Sequence, residues 1–237
     1  RAWLHPNAFL GTPLVAPGFE ALFCRELLAW CDGKAGSALF LHLVQLPMDG
    51  PLYAALGDSL DRRPAAIVMR EERAMLRSPL SPEEYLEQSL SGKKRKELRR
   101  QHRRLAEEGE LGTERLTDPG QLADWAEEFL SLEQRGWKGA AGSALASDPR
   151  TATLFREALA GAAQRGRLER LAIRLDGRPL AMLASFLSPP GAFSFKTAFD
   201  EDFARFSPGV LLQRENLALL SAPGIEWVDS CASADHR

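Results

Sequence analysis

The stretch Arg205-Phe206-Ser207-Pro208-Gly209 has the residue types of an anion site. Serine suits a helix N-cap, proline the first helical position, and glycine permits close approach of a ligand to the backbone. A helix start of this kind leaves N–H groups unpaired and turns its positive dipole end outward. Arg205 could add a charge-assisted contact to a phosphate. The same residues also read as no more than a capped helix after a loop. A second charged feature lies between Ser91 and Arg104. Lys93, Lys94, Arg95, Lys96, Arg99, Arg100, Arg103 and Arg104 supply eight positive charges and Glu97 removes one, leaving +7. The whole chain carries −2, so everything outside this run carries −9. Such a run can attract phosphates or nucleic acid. It lacks interleaved aromatics, and a solvated helix edge bordering an acceptor cleft is the plainer reading. An acidic or phosphorylated acceptor reconciles the two.

Other chemistries are excluded by what is scarce. The three cysteines, Cys24, Cys31 and Cys231, cannot form a disulfide framework without one left over, and they suit a reducing compartment. Cys24 and Cys31, seven apart, share a helix face with Leu27 and Leu28 and read as small core residues. The four histidines, His5, His42, His102 and His236, have no ligand spacing, and no CxxC, HExxH or DxDxDG pattern occurs. No metal site is expected.

These residues need elements to position them. With 237 residues, 45% hydrophobic and 26% charged, the chain has room for one large domain or two small ones with a substantial core. It has no run of eighteen apolar residues, so no membrane insertion is expected. Its first residues, Arg1 to Pro6, are neither an initiator methionine nor a secretory signal, so the chain reads as part of a longer protein. Helical spacing predicts helices over Pro17–Trp30, Pro51–Leu60, Glu83–Leu90, Lys93 to about Glu108 and Pro119–Arg135, and after the Asp148-Pro149 cap. Ala38–Leu46 and Pro64–Met69 read as strands, as does Leu111–Leu116. Leu168–Leu175 and Arg178–Leu187 flank Asp176-Gly177, a strong hairpin signal. Ala192–Phe199 alternates Phe193, Phe195, Thr197 and Phe199 against Ser194, Lys196 and Ala198. A helix from Ser207 and a strand over Ile225–Asp229 follow. The order implies an α+β fold, mostly antiparallel, with one parallel pair around the last helix.

The C-terminal half resembles the GNAT acyltransferase superfamily. More narrowly it resembles the cellulose-biosynthesis-associated acetyltransferases, relatives of the FemAB-type aminoacyl transferases. The likeness is carried by Ser91 to Arg100, by Glu133-Gln134-Arg135-Gly136-Trp137-Lys138-Gly139, by the Asp176-Gly177 hairpin, by Phe195-Lys196-Thr197-Ala198-Phe199-Asp200 leading to Phe206-Ser207-Pro208-Gly209, and by Trp227 to Ala232. It covers about residues 80–237. It implies a GNAT-like mixed sheet flanked by helices. A tandem arrangement is expected, with a degenerate GNAT-like half over residues 1–90 and the acyltransferase core over 91–237.

The resemblance implies acetyl-CoA, or another acyl-CoA, held where two strands splay apart. The pantetheine arm would pair with backbone at Phe195, Lys196, Thr197 and Ala198. The pyrophosphate would meet Arg205, Ser207, Gly209 and Val210. The family's glycine-rich pyrophosphate loop is replaced here by Arg205-Phe206-Ser207-Pro208-Gly209, a departure shared with FemAB-type enzymes, which take their acyl group from charged tRNA. An amine would attack the thioester, with Asp229 as first candidate base and Glu133 acting through water. Asp235 and His236 are alternatives, and Asp229 reads equally well as a strand-end carboxylate. Trp137, Lys138, Arg99 and Arg103 would face an amine acceptor, which could be a small molecule, carbohydrate or peptide. Trp137 also reads as a core aromatic. The expected function is a cytoplasmic acyl-CoA N-acyltransferase. The alternatives are a FemAB-type transferase using tRNA and an inactive GNAT-like binding module.

Overall fold

A computed structural model describes residues 7, 10–34 and 36–234. The chain divides into two compact units, residues 1–71 and 72–237. In the first, helix α1 (Glu20–Lys34) and helix α2 (Pro51–Ser59) pack through buried Cys24, Leu28 and Leu52. The expected strands Ala38–Leu46 and Pro64–Met69 do not form. A strand needs a partner for its N–H and C=O groups. Gln45 accepts a single backbone bond from Gly11 (3.0 Å), and no ladder follows it. Leu39, Phe40 and Val68 stand exposed as a result.

The second unit holds a six-stranded sheet in the order β1-β6-β5-β4-β3-β2. The strands are β1 (Arg73–Leu76), β2 (Leu111–Leu116), β3 (Leu168–Leu175), β4 (Arg178–Ser188), β5 (Gly191–Phe199) and β6 (Trp227–Ser233). All neighbours are antiparallel except β5 and β6. Asp176 and Gly177 both have positive φ, the backbone that a tight hairpin matching the strand twist requires. The mostly antiparallel α+β fold expected from the sequence is the fold observed.

Helices cover both faces. They are α3 (Pro82–Ser89), α4 (Gly92–Ala106), α5 (Leu122–Arg135), α6 (Trp137–Ala140), α7 (Pro149–Ala163) and α8 (Pro208–Asn216). On one face Trp125 and Phe129 of α5 and Phe155 and Leu159 of α7 pack over Ala172, Met182, Ala184 and Ala198. On the other, Leu105 of α4 and Leu211 and Leu212 of α8 cover Leu171, Ile173 and Leu183. Local signals start several helices. Ser81 makes a capping box with Glu84 at α3, and Asp148 caps α7 ahead of Pro149. Leu98 and Leu105 are the buried stripe of α4, whose remaining surface is charged.

Candidate functional site

The parallel ladder between β5 and β6 holds only three pairs: Gly191 with Trp227, Ala192 with Val228, and Phe193 with Asp229. Beyond them β5 pairs only with β4, and β6 pairs only with β1. Two bulges open this gap. In β5 the register against β4 shifts between Ala184 and Ser185, which leaves Phe195 as an extra residue. In β6 the register against β1 shifts between Arg73 and Met75, around Cys231, whose φ is 53°. A bulge bends its strand, and these two bend neighbouring strands apart. The result is a V-shaped notch whose apex is the Phe193–Asp229 pair.

Asp200 donates its amide to the Leu180 carbonyl (2.8 Å). Antiparallel pairing alternates, so Ala198 also turns its backbone toward β4, while Thr197 and Phe199 present theirs to the notch. The bulge also breaks the side-chain alternation expected for this strand. Phe195 and Lys196 lie on the same face, under α5 and α7. Ser194 turns to the other face, where its Oγ accepts from Asn216 Nδ2 (3.3 Å). Phe195 packs between Phe155 and Phe186. The Lys196 ammonium sits 5.7 Å from the Phe195 ring centroid.

Three charged groups meet on this side of the notch. Glu133, buried in the last turn of α5, accepts from Lys138 Nζ (2.9 Å) and from the Leu145 amide (2.8 Å). Lys138 Nζ also donates to the Thr197 carbonyl (3.0 Å), one of the open-edge groups of β5. Lys196 is the third. Burial holds its ammonium below the usual lysine range, and neighbouring Lys138 pushes the same way against the pull of Glu133. A glycine allows the arrangement. A Cβ on Gly139 would overlap the Gln134 carbonyl, so only glycine lets α6 close onto the end of α5 and carry Lys138 to Glu133. Glu201 Oε1 accepts the Trp137 amide (2.6 Å), which ties α6 to the segment that follows β5.

The opposite wall is β6. Asp229 is 3% exposed; its Oδ2 pairs with Arg73 (2.6 Å), and its Oδ1 accepts the Cys231 amide (2.8 Å). Cys231 feels the field of Lys196. Burial, with Asp229 adding to it, pushes the thiol up to about 12, so at neutral pH it carries its proton.

The end of α8 differs from its sequence reading. Ser207 has a left-handed backbone (φ 52°) and makes no side-chain cap; its hydroxyl accepts instead from Gln101 Nε2 of α4 (3.1 Å). The Ser207 amide goes to Ala204 (2.9 Å), and those of Val210 and Leu211 both go to Ser207 (2.9 and 3.1 Å). Pro208 has no N–H, so three of the four amides over Ser207 to Leu211 are already engaged. Arg205 stacks on Phe206 and pairs with Glu108 (2.9 Å).

The structure therefore brings Asp229, Glu133, Lys138, Lys196 and Thr197 around one notch. It places Ala198 in the core, and Trp137, about half exposed, on the rim helix α6. Arg99 and Arg103 are exposed on α4, with Arg103 beside Glu107 (3.7 Å). Asp235 and His236 lie outside the described residues. Arg73, Gln101 and Glu201 were not singled out from the sequence, and Cys231 only as one of three thiols. Gln101 left a signal there, as a polar residue on the same helix face as Leu98 and Leu105; the others depend on pairing that no local pattern reveals. Among the described residues no three metal-ligating side chains cluster, and no helix is long and apolar enough to cross a membrane.

Residues 92–236 match the family model described as acetyltransferase (GNAT) domain. No curated protein matches the chain. Among solved structures, it is similar to the C-terminal domain of a protein assigned as a lysylphosphatidylglycerol synthetase from Agrobacterium fabrum, with a TM-score of 0.41 and 17% identity over 68% of this chain and 46% of that one. The chain thus spans less than half of that structure's length. The match to the family model takes in every strand but β1 together with α4 to α8, well over half of the sequence, and the chain belongs to the GNAT acetyltransferase family.

Proposed function

We propose that the chain is an acyl-CoA N-acyltransferase that moves an acetyl or other acyl group to an amine acceptor. The carrying observation is the notch: β5 keeps an open edge at Thr197 and Phe199, where a pantetheine arm with its amides can add as a further strand. The acceptor enters from the α6 side, past Trp137 and Lys138. Its amine attacks the thioester carbonyl carbon, the C–N bond forms, the oxyanion collapses, the C–S bond breaks, and CoA leaves. One proton must pass from the amine to the enzyme. Asp229 and Glu133 are candidate acceptors, but each carboxylate already takes two contacts. Lys196 is better placed, because burial and Lys138 favour its neutral amine, the form that accepts a proton. In this reading Lys196 takes the proton, while Asp229 and Glu133 hold the two walls.

Titration with acetyl-CoA tests the donor, and mass spectrometry of small molecules released on denaturation shows whether CoA is retained. Saturable binding supports the proposal; no binding and no retained CoA reject it. With an acceptor in hand, Lys196→Met lowers the transfer rate by about 10²-fold or more, and Asp229→Asn leaves most of it. The reverse pattern returns the proton to Asp229. The reading also places the chain in the cytoplasm, where three unpaired thiols are stable. It puts the chain in the cellulose-associated branch, with a degenerate half that ends at residue 71 and not at 90, because β1 and α3 belong with the sheet.

A second reading, FemAB-type transfer from charged tRNA, is favoured by the start of α8, where Pro208 has no N–H and the Ser207, Val210 and Leu211 amides are engaged, and by the cationic α4. Strongly salt-dependent tRNA binding without acetyl-CoA binding selects it.

A further inference from the structure

The start of α8 offers little to a polyphosphate. With three of its first four amides engaged, a helix end worth about half a positive charge faces a tail whose 3′-phosphate alone carries about two negative charges. Helix α4 lies against this corner, held by Gln101 to Ser207 (3.1 Å) and, just beyond its end, by Glu108 to Arg205 (2.9 Å). At about 100° per residue, Lys94 and Arg104 project within about 60° of Gln101, while Arg99 and Arg103 point about 160° away. Lys94 and Arg104 are exposed; Glu97, between them on the same face, feels the charge of both, but its carboxylate is held by Arg100 (2.9 and 2.7 Å). They stand about 15 Å apart along the helix, one on each side of Gln101. Arg205 and Glu108 are both largely exposed, so their pair is weak and Arg205 can turn to an anion.

We propose that Lys94 and Arg104 of α4 form, beside Gly209, the site for the phosphate groups of the donor's nucleotide tail, replacing the backbone amides that α8 cannot supply. The proposal rests on the acyl-CoA reading. The tail carries two separate phosphate groups, a pyrophosphate and a 3′-monoester, one for each of the two long cationic side chains. Side chains on a neighbouring helix, instead of a loop, then set the affinity for the tail, and that affinity falls with salt.

Calorimetry on the full chain with CoA, 3′-dephospho-CoA and pantetheine tests this. Lys94→Ala and Arg104→Ala are each expected to weaken CoA about tenfold, to leave pantetheine unchanged, and to flatten the salt dependence. Lys96→Ala, on the far side of the same helix, leaves CoA binding within about twofold. Circular dichroism checks that the variants are folded. Undiminished CoA binding by both α4 variants overturns the proposal, as do an equal loss in Lys96→Ala and equal affinity of the wild type for CoA and pantetheine. A wild type that binds none of the three instead rejects the acyl-CoA reading. The α4 site is then decided on tRNA, whose phosphates are the same chemistry. Loss confined to Lys94→Ala and Arg104→Ala keeps the site, and any other pattern overturns it.

Discussion

Lys196 shows how a single bulge changes what a residue can do. Strict alternation would put it across the sheet from Phe195; the extra residue puts both side chains under α5, against Lys138, Glu133 and Cys231. Its ammonium is disfavoured in the fold, so the unfolded chain binds the proton more tightly. The cost is complete below the depressed folded value, where both states are charged. It disappears as pH rises from there to the ordinary 10.5, and stability rises through that window. Cys231 acts in the opposite sense: its folded thiol keeps a proton that the unfolded chain releases from 9.0 upward, so its contribution is lost as pH rises toward about 12. Lys196 and Cys231 feel one another's charge, so Lys196→Met is compared with its parent in a Cys231→Ser background, which removes the cysteine from the difference. The urea midpoint of Lys196→Met is expected to lie above that parent at pH 7, and the gap to narrow as pH approaches 10.5. A gap constant with pH would show that the substitution acts through packing alone.

Among the elements, α6 is short enough to depend on its attachments. Gly139 lets it close onto α5, and Glu201 holds its first amide. Gly139→Ala forces the backbones apart and is expected to cost about 1–3 kcal/mol, measured by denaturation, and to loosen Lys138 from Glu133. Elements of this kind divide what could be read from the sequence. Ser81, Asp148-Pro149, Ser207-Pro208 and Asp176-Gly177 are local punctuation, and the helices and the hairpin beside them form where expected. Pairing partners are not local. Ala38–Leu46 has the apolar run of a strand and no ladder, whereas Arg73–Leu76 looks unremarkable and becomes a strand because β6 lies beside it. The last strand runs on past Asp229 to Ser233 for the same reason, which puts Asp229 at the apex of the notch and not at a strand end. At the site, the residue types around Lys196 and Lys138 were legible; the bulges that aim them, and the ion pair that engages Asp229, were not.

At the scale of the whole molecule, the units divide after Glu71, so β1 and α3 belong with the sheet. A chain starting at Glu72 is expected to unfold in one cooperative transition. A chain starting at Ser91 loses β1 and Arg73, leaving the buried Asp229 carboxylate without its cation. That loss costs about 3–5 kcal/mol, and urea titration of the two fragments measures the difference. The notch has one further consequence. An unpaired strand edge invites the edge of another chain, and lysine is a common guard against such pairing. Lys138 already sits on the Thr197 carbonyl that an intruding strand would seek. Lys138→Ala should therefore scatter more light on gentle warming than wild type, as molecules zip together along an opening meant for something smaller.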